Sequence, residues 1–288
     1  MAEPYLGNAK NTLDIIRKYD FVFQKRFGQN FLIDSHVIEK IISSADIKTD
    51  DCVIEIGPGI GTLTQYLGKY AGKVIAVEID KKLIPVLQDT LKEWDNIEII
   101  NDDIMNLDLK QLAEEKNGGR PFKVAANLPY YITTPIIMRL LEEDIPVESI
   151  TVMIQKEVAE RMKAGPGSKD YGALSLAVSY YAEAKTAANV PCNCFIPRPK
   201  VDSTVIHLEK YKTPPVSVKD PELMFRLIRA SFNQRRKTMA NGIKNAEYLS
   251  YSREDVEKAL EKCGLDSQIR GEQLSLSDFA ALSDTLCQ

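Results

Sequence analysis

The chain has 288 residues, 44% of them hydrophobic and 27% charged, with a net charge of −4. This composition is ordinary for a soluble globular protein, leaves room for two domains and excludes a protein that is basic throughout. No apolar run approaches the roughly 20 residues that cross a bilayer, and the N-terminus lacks the apolar stretch of a secretory signal.

The N-terminal segment carries scattered cations: Lys10, Arg17, Lys18, Lys25 and Arg26. Local patches of this kind, more than total charge, decide whether nucleic acid binds. From about residue 36 to 210, short apolar runs alternate with amphipathic stretches. The runs Cys52–Ile56, Lys73–Val77, Ile97–Ile100, Phe122–Ala126, Ile150–Ile154 and Val201–Leu208 read as strands. Helical periodicity lies between them, as in Leu83, Val86, Leu87 and Leu91. This alternation predicts a doubly wound α/β sheet, mostly parallel, with helices on both faces. The proline-rich stretch 211–221 reads as a linker, and 222–288 is helix-patterned throughout. The expected organisation is therefore a domain over 1–210, a linker, and a small C-terminal all-helical domain over 222–288.

The first strand runs into "GPGIGTLT", with glycines at 57, 59 and 61. The dinucleotide fingerprint would need its third glycine at position 62, where Thr62 stands, and the Lys–Ser/Thr pair of a P-loop is missing. Glu55 precedes the glycines, disfavouring a pyrophosphate and suiting a cationic ligand. Glu78 follows about 20 residues on, where a carboxylate can accept both hydroxyls of a ribose. Asp103 ends the next strand, placed to accept a hydrogen bond from an adenine amino group. Glycines, a ribose acid and an adenine acid without a phosphate site fit S-adenosylmethionine better than NAD or ATP.

The fourth strand ends in Asn127–Leu128–Pro129–Tyr130. An exocyclic amine of a nucleobase is a poor nucleophile because its lone pair is delocalised into the ring. The Asn127 amide oxygen and a carbonyl of the Leu128–Pro129 turn can accept its two N–H groups and turn the lone pair outward. Pro129 fixes the turn, and Tyr130 can stack on a flipped base. A helix-capping Asn beside a buried Tyr is the structural alternative.

These motifs together resemble the KsgA family of ribosomal small-subunit RNA adenine dimethyltransferases, over nearly the whole chain. The resemblance rests on "FGQNFLID" (27–34), "EIGPGIGTLT" (55–64), "VEID" (77–80), "NDDIM" (101–105) and "NLPYYITTPI" (127–136). It continues through "VMIQKEVAERM" (152–162), "FIPRPKVDS" (195–203) and "FNQRRKT" (232–238). It implies a Rossmann-like class I methyltransferase fold with a helical C-terminal domain. The implied cofactor site is Gln29, Asn30, Leu32, Gly57, Gly59, Glu78, Asp103 and Asn127. The implied reaction is dimethylation at N6 of two adjacent adenosines near the 3′ end of 16S rRNA, in the immature small ribosomal subunit. A family similar to the erythromycin-resistance 23S methylases shares the core, but "GPGIGTLT", "NLPYYITTP" and the "FNQRRKT" helix fit the small-subunit enzymes better. A ribosome-assembly factor that only docks would not need Glu78, Asp103 and Asn127 together.

Phe195, between the last apolar runs, is read either as a second ring closing the base pocket opposite Tyr130 or as a core residue. Arg198 and Lys200 in the same segment are expected on RNA. Lys156 and Arg161, followed by a Gly/Ser/Lys loop, suit RNA backbone contact or a solvated surface equally. Arg235, Arg236 and Lys237 read as an RNA-binding cluster or a solvated helix face. Five scattered cysteines imply free thiols in a reducing compartment. With two histidines in the chain, no metal site is expected. A monomeric cytoplasmic protein without a membrane partner is the expectation.

Overall fold

The computed structural model describes residues 2–24 and 27–287. Lys25 and Arg26, part of the expected N-terminal basic cluster, lie outside the described residues. The strands are β1 (Phe31–Leu32), β2 (Cys52–Ile56), β3 (Lys73–Val77), β4 (Ile97–Ile100), β5 (Phe122–Asn127), β6 (Val147–Gln155), β7 (Ala182–Val190), β8 (Phe195–Ile196) and β9 (Ser203–Lys210). The helices of the first half are α1 (Ala9–Lys18), α2 (Ser35–Ser44), α3 (Thr62–Tyr70), α4 (Ile84–Thr90), α5 (Leu109–Asn117) and α6 (Thr133–Glu142). Then follow α7 (Lys156–Met162), α8 (Ala173–Tyr181), α9 (Pro221–Asn233), α10 (Met239–Lys244), α11 (Arg253–Lys262) and α12 (Leu276–Leu286).

Seven strands form one sheet in the order β4-β3-β2-β5-β6-β9-β7. β4, β3, β2, β5 and β6 are parallel, and β9 runs antiparallel to β6. β2 is buried at every position, as a parallel strand covered on both faces must be. On one face, Ile38, Ile41 and Ile42 of α2 and Leu63 and Leu67 of α3 pack on Val53, Val74, Ala125 and Met153 of the sheet. Helix starts follow local chemistry: the Asp34 carboxylate accepts from the amides of His36 and Val37 at α2, and Asp108 accepts from the Gln111 amide at α5.

The strand order reverses between β2 and β5. There the first crossover leaves toward β3 and β4, whereas β5 lies on the other side, next to β6. Crevices open at the carboxyl ends of strands beside such a switch point. Pairing of Glu55 with Ala125 brings the ends of β2 and β5 level, so Gly57 and Asn127 emerge as neighbours.

The described residues divide into two compact units. The first holds residues up to Ala159 together with Ala184–Lys210, and the second holds Glu160–Glu183 with Tyr211 onward. The first unit ends at Lys210, and Glu160–Glu183, inside the 1–210 stretch of the sequence reading, clusters with the second. The reason lies in α8, whose Leu174, Leu176, Ala177, Val178 and Tyr180 are all buried and so need cover on most sides. Phe225 of α9 supplies it, stacking on Tyr181 with centroids 5.4 Å apart and meeting Tyr180 edge-on. α9 also begins at Pro221, inside the expected linker. In the same unit Leu227, Ile228, Val256, Leu260, Leu274, Phe279 and Leu282 are wholly buried, as their helical spacing requires. Ser252 and Ser275 cap α11 and α12, each trading hydrogen bonds with an Asp three residues on.

Among the described residues no helix is long and apolar enough to cross a membrane. All five cysteines are free thiols.

Candidate active site

A cavity opens at the carboxyl ends of β2, β3 and β5. Its floor is the loop after β2. The Gly57 amide donates to Val77 O at 2.9 Å, which stitches the loop to the end of β3. Gly57 has φ +69°, and a Cβ built there meets nothing within 4 Å. The residue thus combines a left-handed backbone with open space beside it, where a ligand can approach the main chain.

Two acids enter this cavity. Glu78, at the end of β3, is 4% exposed, and its carboxylate accepts from the amides of Gly59 (3.2 Å) and Asp80 (2.8 Å). Burial pushes it up to about 7. Glu55, inside β2, is 2% exposed, and one of its oxygens has no hydrogen-bond partner among the described residues. Burial pushes its carboxyl up to about 8, with the field of Glu78 adding to the effect. No Lys, Arg or His stands among the described residues of the cavity wall. Buried acids without a cation and a buried orphan oxygen mark a place completed by a positively charged ligand. The open glycine backbone and the diol-compatible Glu78 oxygens, which retain free lone pairs, fit the rest of S-adenosylmethionine. The residues present therefore suit this cofactor.

The far wall is the turn after β5. The Asn127 Nδ2 donates to Asn30 O at 2.9 Å, so the amide oxygen faces the other way. Leu128 is buried and its amide bonds Met153 O at 3.1 Å. The carbonyl of Pro129 already accepts from Ile132 N and from the Thr133 hydroxyl at 3.0 Å. Tyr130 is held by its hydroxyl, 2.8 Å from Ser203 Oγ. The roof is β1 and the segment before it: Gln29, Asn30 and Leu32 line the cavity, and Gly28 lies against Tyr131 and Pro129.

Gln29, Asn30, Leu32, Gly57, Gly59, Glu78, Asn127, Leu128, Pro129 and Tyr130 are thus brought together around one cavity. Asp103 and Phe195 are not among its lining residues. Asp103 caps its own turn, accepting from Met105 N at 2.9 Å; burial raises the Tyr131 hydroxyl, and the field of Asp103 adds to that. Phe195 is 1% exposed and packs in the core with Leu32, its antiparallel partner across β1 and β8. Its partner Leu32 lines the cavity, so Phe195 lies one residue behind the wall. Tyr131, not among the expected site residues, also lines the cavity and is 56% exposed. The doublet at 130 and 131 was the available signal: one ring is anchored and the other is open.

The basic residues fall into two groups. Lys156, Arg198 and Lys200 in the first unit are exposed, as are Arg236 and Lys237 in the second. Arg161 is half-buried at the end of α7. Arg235 is engaged at each nitrogen: Nε on the Glu272 carboxylate (2.7 Å), Nη1 on Lys169 O (2.6 Å) and Nη2 on Ser168 O (3.2 Å). The cluster lies in the turn between α9 and α10, not on a helix as expected.

The family model described as ribosomal RNA adenine dimethylase matches residues 20–288. The chain belongs to that family. A ribosomal RNA small subunit methyltransferase A from Lachnoclostridium phytofermentans is 60% identical to this dimethylase over 283 residues, covering 98% of each chain. One of the same name from Clostridioides difficile is 49% identical over 281 residues, covering 98% of this chain and 96% of the relative. Among solved structures, a dimethyladenosine transferase from Plasmodium falciparum aligns with a TM-score of 0.73 at 27% identity, over 88% of this chain and 95% of that one. The 23S rRNA methyltransferase ErmE aligns at 0.67 with 26% identity, over 90% of this chain and all of that one. The dimethylase is an S-adenosylmethionine-dependent methyltransferase with a Rossmann-like class I fold.

Proposed function

We propose that this dimethylase methylates N6 of two adjacent adenosines near the 3′ end of 16S rRNA, twice each, during maturation of the small subunit. One observation carries the reading: the Asn127 amide nitrogen is spent on Asn30 O, which leaves its oxygen as a fixed acceptor at the end of β5. Curated relatives at 49–60% identity carry the small-subunit name, whereas the 23S enzyme stands at 26%. An rRNA substrate supports a cytoplasmic setting for the activity.

Gln29 and Asn30 with Leu32, Gly57 and Gly59, Glu78 and Asn127 would frame S-adenosylmethionine, with Asp103 on the adenine side. When bound, the cofactor supplies an electrophilic methyl group on a cationic sulfonium. The protein's task is to shape the amine. The Asn127 oxygen accepts one N6–H. Pro129 O is already taken by Thr133 and Ile132, so the Leu128 carbonyl is the second acceptor of the turn. Two acceptors fixed in advance favour a pyramidal nitrogen, and they matter most where positive charge builds on N6 in the transition state. The proton lost from N6 passes to solvent. Tyr130, whose hydroxyl is pinned to Ser203, offers an oriented ring for the extruded base. Lys156, Arg161, Arg198, Lys200, Arg236 and Lys237 serve as phosphate contacts, which position RNA without reading its sequence.

Primer extension on small-subunit RNA from cells lacking this protein tests the reading, because N6,N6-dimethyladenosine stops reverse transcriptase. Readthrough near the 3′ end, with the stop restored by the wild-type gene and not by Asn127→Ala, is expected. A stop that persists in the deletion strain overturns the assignment.

A further inference from the structure

We propose that Asp80 is a positioning residue for methyl transfer, acting through Gln29 on the segment whose Asn30 carbonyl orients Asn127. The inference rests on the reading of Asn127 given above. Asp80 follows Glu78 by two residues and is 3% exposed, yet it is not among the residues that line the cavity. Its Oδ1 accepts from Lys82 N at 3.1 Å and its Oδ2 from Gln29 Nε2 at 2.9 Å. The other end of the Gln29 amide accepts from Gln24 N at 2.7 Å. Gln29 is therefore tied to protein at both ends of its amide.

This arrangement has only one polarity. A flipped Gln29 amide would face its oxygen to the Asp80 carboxylate and its N–H groups to the Gln24 amide. Downstream, Phe31 and Leu32 are held by the pairing of β1 with β8. Asn30 sits between that pairing and the Gln29 tie. With the tie intact, Asn30 O stays in place to receive Asn127 Nδ2. With it broken, the Asn127 amide loses the acceptor that fixes its orientation and can turn its N–H groups toward the substrate amine, where an acceptor is required. A buried carboxylate thereby sets which atom of Asn127 meets the base.

The test exploits the polarity. Asp80→Asn removes an acceptor and sets an amide against the Gln29 amide. Gln29→Glu sets a carboxylate against Asp80. The double variant reverses the donor and acceptor: the new amide donates to the new carboxylate, whose other oxygen still accepts from Gln24 N, and Lys82 N keeps an acceptor. Hydrogen–deuterium exchange of the peptide spanning 27–32 is measured on the free full-length protein. Single-turnover methylation of small-subunit particles is measured at saturating S-adenosylmethionine, which removes any change in cofactor affinity. Each single variant should raise exchange in that peptide and slow transfer about tenfold or more, and the double variant should recover protection and most of the rate. Should Asp80→Asn fail to fold, Gln29→Glu at its half-buried site and the double variant carry the comparison. Unchanged exchange in the single variants, a double variant no better than either, or loosened exchange with a normal rate would each overturn the proposal. Asn127→Ala, run alongside, separates the two readings. If it is inactive while the Asp80 and Gln29 variants are normal, only the positioning role fails; if it is active, the role of Asn127 fails first.

Discussion

Two polar turns, each conspicuous in the sequence, behave in opposite ways. After β5, Asn127 gives one end of its amide to Asn30 O and keeps the other as an oriented acceptor. Between α9 and α10, Arg235 commits every nitrogen to Glu272, Lys169 O and Ser168 O. The first turn is half satisfied, which makes it reactive toward a ligand. The second is built around an arginine that ties the loop at 168–169 to the turn at 271–273, and its neighbours Arg236 and Lys237 stand exposed. A side chain's availability is therefore a matter of which partners its own fold has already supplied, and residue type alone does not reveal it.

The largest expected effect breaks the first turn. Asn127→Ala should lower the single-turnover rate by about a hundredfold or more, since it removes an acceptor used chiefly in the transition state. RNA binding should be unchanged, and a near-normal rate would erase the contrast between the turns. Next is Glu78→Ala. Loss of charge-assisted hydrogen bonds should weaken S-adenosylmethionine by about 1.5–3 kcal/mol, which calorimetry on the folded variant reads directly.

The buried acids sharpen the comparison through pH. Burial holds Glu78 at about 7 and Glu55 at about 8, both above the ordinary 4.5. Their folded values exceed those of the unfolded chain. The stability they contribute is therefore present below about pH 4.5 and is lost as pH rises through 7 and 8. A cationic ligand favours the ionised forms. Its affinity should rise about tenfold between pH 6 and 8 from Glu78 alone, with release of protons on binding. Calorimetry in buffers of different ionisation enthalpy checks both, and a flat profile would mean that the acids are ionised before the cofactor arrives.

The smallest effects separate the residues of the second turn. Arg236→Ala and Lys237→Ala should each reduce the salt dependence of RNA binding by about 0.7–0.9 in the log–log slope, the value of one phosphate contact. Arg235→Ala should leave the slope unchanged and lower the thermal midpoint instead, by an amount corresponding to about 1 kcal/mol. Filter binding over a salt series, beside thermal unfolding, distinguishes them. If Arg235→Ala flattens the slope as its neighbours do, the contrast is wrong.

Much of this was legible in the residues. The run Cys52–Ile56 is apolar enough to be a doubly covered strand, and Gly57, Glu78 and Asn127 stand at strand ends where a switch point needs them. The helical unit declared itself through Leu227, Val256 and Phe279. What stayed hidden has physical causes. β7, "AEAKTAANV", carries few β-branched residues and buries only its two end positions, so no alternation betrays it. α8 is apolar nearly all round, which leaves no period to show which unit it joins. β1 and β8 are two residues long, too short for a pattern, yet their pairing sets the buried Phe195 beside Leu32. Asp80 looks like a turn residue until Gln29, far away in sequence, is seen to bond it.

The central claim is that the cavity at the ends of β2, β3 and β5 methylates adenosines of the small subunit. Nucleoside mass spectrometry tests it most directly, on small-subunit particles that lack dimethyladenosine, incubated with the purified protein and S-adenosylmethionine. The account predicts N6,N6-dimethyladenosine at two adjacent positions near the 3′ end of 16S rRNA with the wild-type protein, and none with Asn127→Ala. Methylation confined to large-subunit RNA, or equal methylation by both proteins, would contradict it.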